Sequence, residues 1–143
     1  MSSKGLEVID HSVQLTHEWI NELGGMLDWP DQKQVLQLLR TVLTGVRDHL
    51  PHEESAGFAA QLPILVRGMY YEGWRPAATP DADRSKEGFL ARIEKHFTMD
   101  LNFNAEDDIA CVMRFLNGKV SPGEINDVRN ALPPKIRELW PDL

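Results

Sequence analysis

The chain has 143 residues, 15 Lys+Arg against 22 Asp+Glu, a formal net charge of −7 and a single cysteine. That length fits one domain able to bury its own core without a staple, and one cysteine excludes both an internal disulfide framework and a multi-cysteine zinc site. No apolar run approaches the roughly 20 residues a membrane-spanning helix needs, and Met1-Ser2-Ser3-Lys4-Gly5 leads into no apolar signal core, so the expected location is cytoplasmic.

Helical periodicity dominates the chain. Trp19, Ile20 and Leu23 give a first helix an apolar face; Asp10 or Ser12 is its expected N-cap and Gly24-Gly25 its expected stop. Pro30 and Asp31 open a second helix, expected from about Asp31 to His49. Its Val35, Leu39, Val42, Val46 and Leu50 recur at steps of four, three, four and four, and Pro51 ends it. A shorter helix carries Phe58, Ala59 and Leu62, breaks at Pro63 and resumes through Val66 and Tyr70. Residues 73–84, with Gly73, Pro76 and Pro80, read as an irregular connector. Beyond it come a helix around Phe89, Leu90 and Ile93 and another from Ala105 to Asn117, with Asn104 as N-cap and Gly118 as stop. Ser121-Pro122-Gly123-Glu124 has the form of a capping box; Leu132-Pro133-Pro134 then interrupts the chain before a last segment through Ile136 and Trp140. No alternating strand pattern occurs.

The order of events on either side of the connector is the same. Shifted by 70 residues, Trp19 meets Phe89, Leu23 meets Ile93, Leu39 meets Ile109, Val46 meets Leu116, Phe58 meets Val128 and Tyr70 meets Trp140. Five of the 52 aligned pairs are identical, and four of these spell E-x7-L-P-x3-R twice, at Glu54, Leu62, Pro63 and Arg67 and at Glu124, Leu132, Pro133 and Arg137. The expected fold is all-α: about eight helices forming one domain over 1–143, as two pseudo-repeated four-helix units (12–72 and 85–141) packed into one bundle. As structure, the pattern is a corner in which glutamate caps the helix start, proline turns the chain, and arginine returns to the glutamate or the preceding carbonyls. As a site, the same Glu54, Arg67, Glu124 and Arg137 are candidate ligand-binding residues in a pocket between the repeats.

Longer motifs carry a resemblance. Ala60-Gln61-Leu62-Pro63, Val66-Arg67-Gly68, Tyr70-Tyr71-Glu72-Gly73-Trp74 and Pro76 in the first half resemble the DUF2267 family of small bacterial helical proteins. Phe89-Leu90, Arg92-Ile93, Val120-Ser121, Gly123-Glu124-Ile125, Asp127-Val128-Arg129 and Ile136-Arg137-Glu138-Leu139-Trp140-Pro141 extend it over nearly the whole chain. The resemblance implies a helical, duplicated, cytosolic domain of uncharacterised function and brings no catalytic residues with it.

The candidate chemistry is sparse. His49, His52 and Glu53 are weak metal candidates, because Pro51 separates the histidines across a helix break. Glu106-Asp107-Asp108 suits a helix N-terminus, and Cys111 between Ile109 and Val112 suits a buried thiol. No GxSxG, Walker loop or dinucleotide fingerprint is present, so no cofactor is expected. Residues 1–72 carry 5 basic and 10 acidic side chains and residues 73–143 carry 10 and 12, so neither half is basic. That balance disfavours nucleic acid and anionic membranes as partners, and a helix-turn-helix reader is the weakest expectation. Tyr71, Trp74 and Arg75 border the connector as candidate partner-binding residues, or Trp74 pins the connector to the body. The expected function is a non-enzymatic protein-interaction or regulatory module, through a protein partner or self-association. The alternative is a ligand carrier or enzyme.

Overall fold

Eight α-helices account for the regular structure of the computed structural model, which describes residues 6–98 and 102–143. The opening Met1–Gly5 segment therefore lies outside the described residues. In chain order the helices are α1 (Glu7–Leu27), α2 (Gln32–Arg47), α3 (His52–Ala59), α4 (Ile64–Tyr71), α5 (Lys86–Glu94), α6 (Ala105–Asn117), α7 (Pro122–Ala131) and α8 (Pro134–Arg137). A 3-10 turn at Pro76–Ala78 lies in the connector and another at Lys95–Phe97 extends α5. Among the described residues there is no strand, and no helix is long and apolar enough to cross a membrane.

α2 is the centre of the molecule. Its Val35, Leu38, Leu39, Val42, Leu43 and Val46 are fully buried, and α1, α4, α5 and α6 all pack on it. Each such side chain contributes roughly 1.5–3 kcal/mol relative to exposure, so this helix alone anchors the core. Asp31 caps it by accepting from Lys33 N at 2.9 Å. Two further caps expected from sequence form: Asn104 accepts from Asp107 N, and Ser121 from Glu124 N.

The first helix differs from expectation at both ends. It begins at Glu7, after Leu6, with no side-chain cap, and it runs through Gly24-Gly25 to Leu27. Helix termination falls to Asp28, which takes the left-handed conformation (φ 60°), while Trp29 N donates to Gly24 O at 2.9 Å. Gly24 is needed for close packing rather than for a stop: a Cβ there would lie 3.2 Å from Trp29 O and 3.3 Å from a Val35 methyl.

Packing runs across the halves of the chain as well as within them. α1 packs on α6 and α2 on α5, while α2 also meets α6 and α3 meets α7. The Trp19 ring stands edge-on to Phe115 at 5.2 Å between centroids. Phe89 lies over Gly45, where a Cβ would approach its ring to 3.1 Å.

Candidate functional site

The two E-x7-L-P-x3-R corners fold alike. Pro63 and Pro133 cannot continue α3 and α7, so the last carbonyls of those helices need other donors. Arg67 supplies them: its Nε donates to Ala59 O at 2.9 Å and its Nη2 to Ala60 O and Leu62 O at 3.1 and 2.9 Å. Arg137 does the same for Arg129 O, Asn130 O and Leu132 O, at 2.6, 3.0 and 3.1 Å.

The glutamates take a different part from the capping expected of them. α3 starts after Pro51 with no side-chain cap, so Glu54 does not close its N-terminus. At α7 the half of the box owed by Glu124 is supplied from the turn after α3 instead. Gln61 Oε1 accepts from Ser121 N at 3.0 Å, and Gln61 Nε2 donates to Ser121 Oγ at 3.1 Å. The Glu124 carboxylate turns toward α3, where a Cβ on Gly57 would lie 3.4 Å from both of its oxygens, and its Oε2 is buried without a donor. Burial pushes the Glu124 carboxyl above its ordinary range, and the nearby charges of Glu54 and Asp127 push it further. The structure thus brings the two glutamates to one helix contact, while both arginines turn to helix-end carbonyls.

A second cluster grips the connector. Arg47, only 4% exposed, donates through Nη1 to Tyr70 O and Glu72 O, both at 2.8 Å, and through Nε to Asp48 Oδ1 at 2.7 Å. Arg92 reaches the other oxygen of Asp48 at 2.5 Å. Burial pushes the Asp48 carboxyl up, but the bonds and charges of Arg47 and Arg92 outweigh it and hold it below its ordinary value. His49 Nδ1 lies 2.7 Å from Gly45 O and its Nε2 3.0 Å from Asp83 O; His52 Nε2 lies 2.8 Å from Pro76 O and 3.1 Å from Thr79 Oγ1. Both imidazoles therefore face connector and helix oxygens. Among the described residues no group of three or more His, Cys, Asp or Glu is placed to hold a metal ion, Glu53 included. Trp74 packs between His52 and Tyr71, with ring centroids at 5.6 and 5.4 Å, and Arg75 beside it is exposed. Cys111 is buried, and burial pushes its thiol above the ordinary value.

An open depression of about 890 Å³ lies between the α1–α2 turn and the segment after α5, with Trp29, Asp31, Lys33, His96 and Phe97 in its walls. None of Glu54, Arg67, Glu124 and Arg137 lines it.

Sequence reasoning missed the amino-terminal half of α1. Leu6, Ile9, Val13, Thr16, Ile20, Leu23 and Leu27 alternate at three and four residues, a single helical stripe. The bundle covers the stripe at Thr16, Ile20 and Leu23, whereas Leu6 is 65%, Ile9 56% and Val13 43% exposed; Val8 beside them is 59% exposed. That alternation was the available signal, hidden by setting the helix start at Asp10 or Ser12.

No curated protein matches the chain. A family model does match, over residues 16–139, so that residues 1–15, the first turns of α1 among them, and the last four residues fall outside it. The chain belongs to the DUF2267 family, described as an uncharacterized conserved protein.

Proposed function

We propose that this protein is a non-enzymatic interaction or regulatory module that binds a protein through the amino-terminal half of α1. The observation that carries the reading is the bare stripe of Leu6, Ile9 and Val13, continuous with the buried stripe of the same helix and lying outside the stretch matched to the family. Contiguous apolar surface on a soluble protein marks an interaction site far more often than isolated exposed residues do. Of the partner-binding residues expected from sequence, Tyr71 and Trp74 are half-buried against their own body and Arg75 is exposed, so they take a secondary part at most.

The scaffold behind that surface is, in this reading, a duplicated unit about a pseudo-two-fold axis, with the connector 73–84 between its copies. Support comes from matched partners 70 residues apart: Arg67 and Arg137 bind equivalent carbonyls, and Trp19 sits on Phe115 as Phe89 sits over Gly45. The cross-packing of α1 on α6 and α2 on α5 makes the two copies interleaved rather than side by side. A ligand site built from Glu54, Arg67, Glu124 and Arg137 is the competing reading. It is weakened by the six hydrogen bonds that already occupy the two guanidinium groups.

The test is photocrosslinking of the full chain in its own host, with a photoreactive phenylalanine at Val8 or Val13 and, as a control, at the exposed Glu87. Discrete protein adducts at the two α1 positions, lost on Ile9→Asp and absent at Glu87, are expected. The same adduct pattern at all three positions contradicts the proposal.

A further inference from the structure

We infer that the connector 73–84 is a proton-gated strap: doubly protonated His49 fastens it to the end of α2, and loss of one ring proton releases it at Asp83.

The connector is tied to the α2–α3 turn at three points. Asp81 N donates to Asp48 O at 2.7 Å, His49 Nε2 lies 3.0 Å from Asp83 O, and His52 Nε2 lies 2.8 Å from Pro76 O. The strap then leads directly into α5. Asp81 Oδ1 accepts from Asp83 N, Asp83 Oδ1 accepts from Ser85 N, and Ser85 is the N-cap of that helix.

His49 is where a proton matters. Its side chain is buried, and both ring nitrogens face backbone carbonyls, Nδ1 at 2.7 Å from Gly45 O and Nε2 at 3.0 Å from Asp83 O. A carbonyl only accepts, and a neutral imidazole has a single N–H, so the imidazolium alone satisfies both contacts. The Gly45 contact belongs to the helix end. His49 N turns to Val46 O at 3.0 Å, which leaves Gly45 O among the α2 carbonyls that need a donor from outside the helical ladder. In the neutral ring the one proton therefore stays on Nδ1, within a single helical turn. The Nε2 lone pair is then set against Asp83 O, and the strap is the side that yields. His52 does not share this dependence. Its Nε2 faces Pro76 O and Thr79 Oγ1, contacts that a neutral ring with its proton on Nε2 makes as well as the cation does.

The surroundings suit a cation at His49. The carboxyl end of α2 favours positive charge. On the same turn both Asp48 oxygens are already bound by Arg47 and Arg92. On α5 the Phe89 ring stands edge-on to the imidazole at 5.6 Å; Arg92 is committed to Asp48, and Lys86 is paired with Glu106 at 2.8 Å. The connector itself brings Asp81 and Asp83. Bonds from the Ser85 side chain and backbone hold the Asp83 carboxyl below its ordinary value, and the His49 charge lowers it further. The strap thus offers the cation a carboxylate as well as a carbonyl. It is fastened at acid pH and loosens as pH rises through the range in which histidine loses its charge, about pH 5 to 8.

The experiment is amide hydrogen exchange of the full chain followed by NMR from about pH 5 to 8. Each rate is corrected for the intrinsic effect of pH and referred to the buried Val112 in α6. Protection of the Asp81 amide, the strap's own backbone bond, should fall by about tenfold or more as pH rises. Ring-nitrogen spectra should show His49 passing over the same range from two N–H groups to Nδ1–H alone. His49→Gln, with one amide donor group and nothing to titrate, should leave Asp81 protection low and flat with pH. His52→Gln should lower it at every pH and keep the slope. Should His49→Gln fail to fold, the two measurements on the parent decide. Protection that stays flat while His49 loses its proton overturns the inference, as does a neutral His49 ring with its proton on Nε2, or a slope that survives His49→Gln.

Discussion

Arg67 and Arg137, 70 positions apart, each place Nε and Nη2 on the same three carbonyls of the helix before them: positions 59, 60 and 62 for one and 129, 130 and 132 for the other. A guanidinium is suited to this because its donors form a planar fork that spans several acceptors at once, which an ammonium does not. In each corner proline breaks the helical ladder and arginine satisfies carbonyls that the break leaves unpaired.

Arg67→Ala should therefore destabilise the protein by about 2 kcal/mol, the scale of losing charge-assisted hydrogen bonds to carbonyls left at a helix end. Arg67→Lys should recover less than half of that. Arg137→Ala should behave alike, and the double variant should be close to additive because neither arginine touches the other's acceptors. Urea unfolding of the four variants and the parent measures this; a stability unchanged by Arg67→Ala would assign the residue another role.

Glu124 predicts the opposite sign. Its carboxyl is raised above its ordinary 4.5 by burial and by Glu54 and Asp127, so the folded state favours the proton. Its favourable contribution is complete below 4.5 and is lost as pH rises through the raised folded value. Glu124→Gln, which removes the charge and keeps the shape, should raise Tm at pH 7, and the gap to the parent should close as pH falls toward 4.5. A lower Tm for Glu124→Gln at pH 7 would mean that the carboxylate has a stabilising partner.

Asp48 runs the other way, because Arg47 and Arg92 hold it below its ordinary 3.8 against the upward push of burial. A depressed carboxyl contributes stability above that ordinary value and loses it as pH falls through the folded value. Asp48→Asn should cost about 2 kcal/mol at pH 7, since it leaves the buried Arg47 with carbonyls alone, and the cost should shrink below 3.8. Thermal unfolding across the pH range reads this directly.

Tyr70 and Ser55 form a buried hydroxyl pair at 2.7 Å, and burial pushes the Tyr70 phenol upward. Removing one partner strands the other. Tyr70→Phe and Ser55→Ala should each cost about 1–2 kcal/mol, and the double variant clearly less than their sum. Strict additivity in that cycle would show the pair contributes nothing as a pair.

Much of the fold was legible because α2 and α6 carry their apolar residues at helical steps and Asn104, Ser121 and Pro51 punctuate them. Gly24-Gly25 misled because glycine is a frequent stop, whereas here Gly24 makes room for Trp29 and Val35 and Asp28 takes the left-handed turn. Arg47 carried no local signal, since its acceptors Tyr70 and Glu72 lie 23 and 25 residues away. The clasp of Gln61 on Ser121 spans 60 residues and was hidden by the better-known capping box. The α1 surface was missed for a different reason: Leu6 caps its helix without a polar side chain, so a rule that looks for Asp or Ser sets the start too late.

The central claim is that the amino-terminal half of α1 is a protein-recognition surface. Backbone amide spectra of the isotope-labelled full chain, recorded while the partner identified by crosslinking at Val13 is added, test it most directly. Shifts concentrated at residues 6–16, with α3, α7 and the connector unmoved, are the predicted result. Shifts spread over the acidic surface, or centred away from α1, would contradict it.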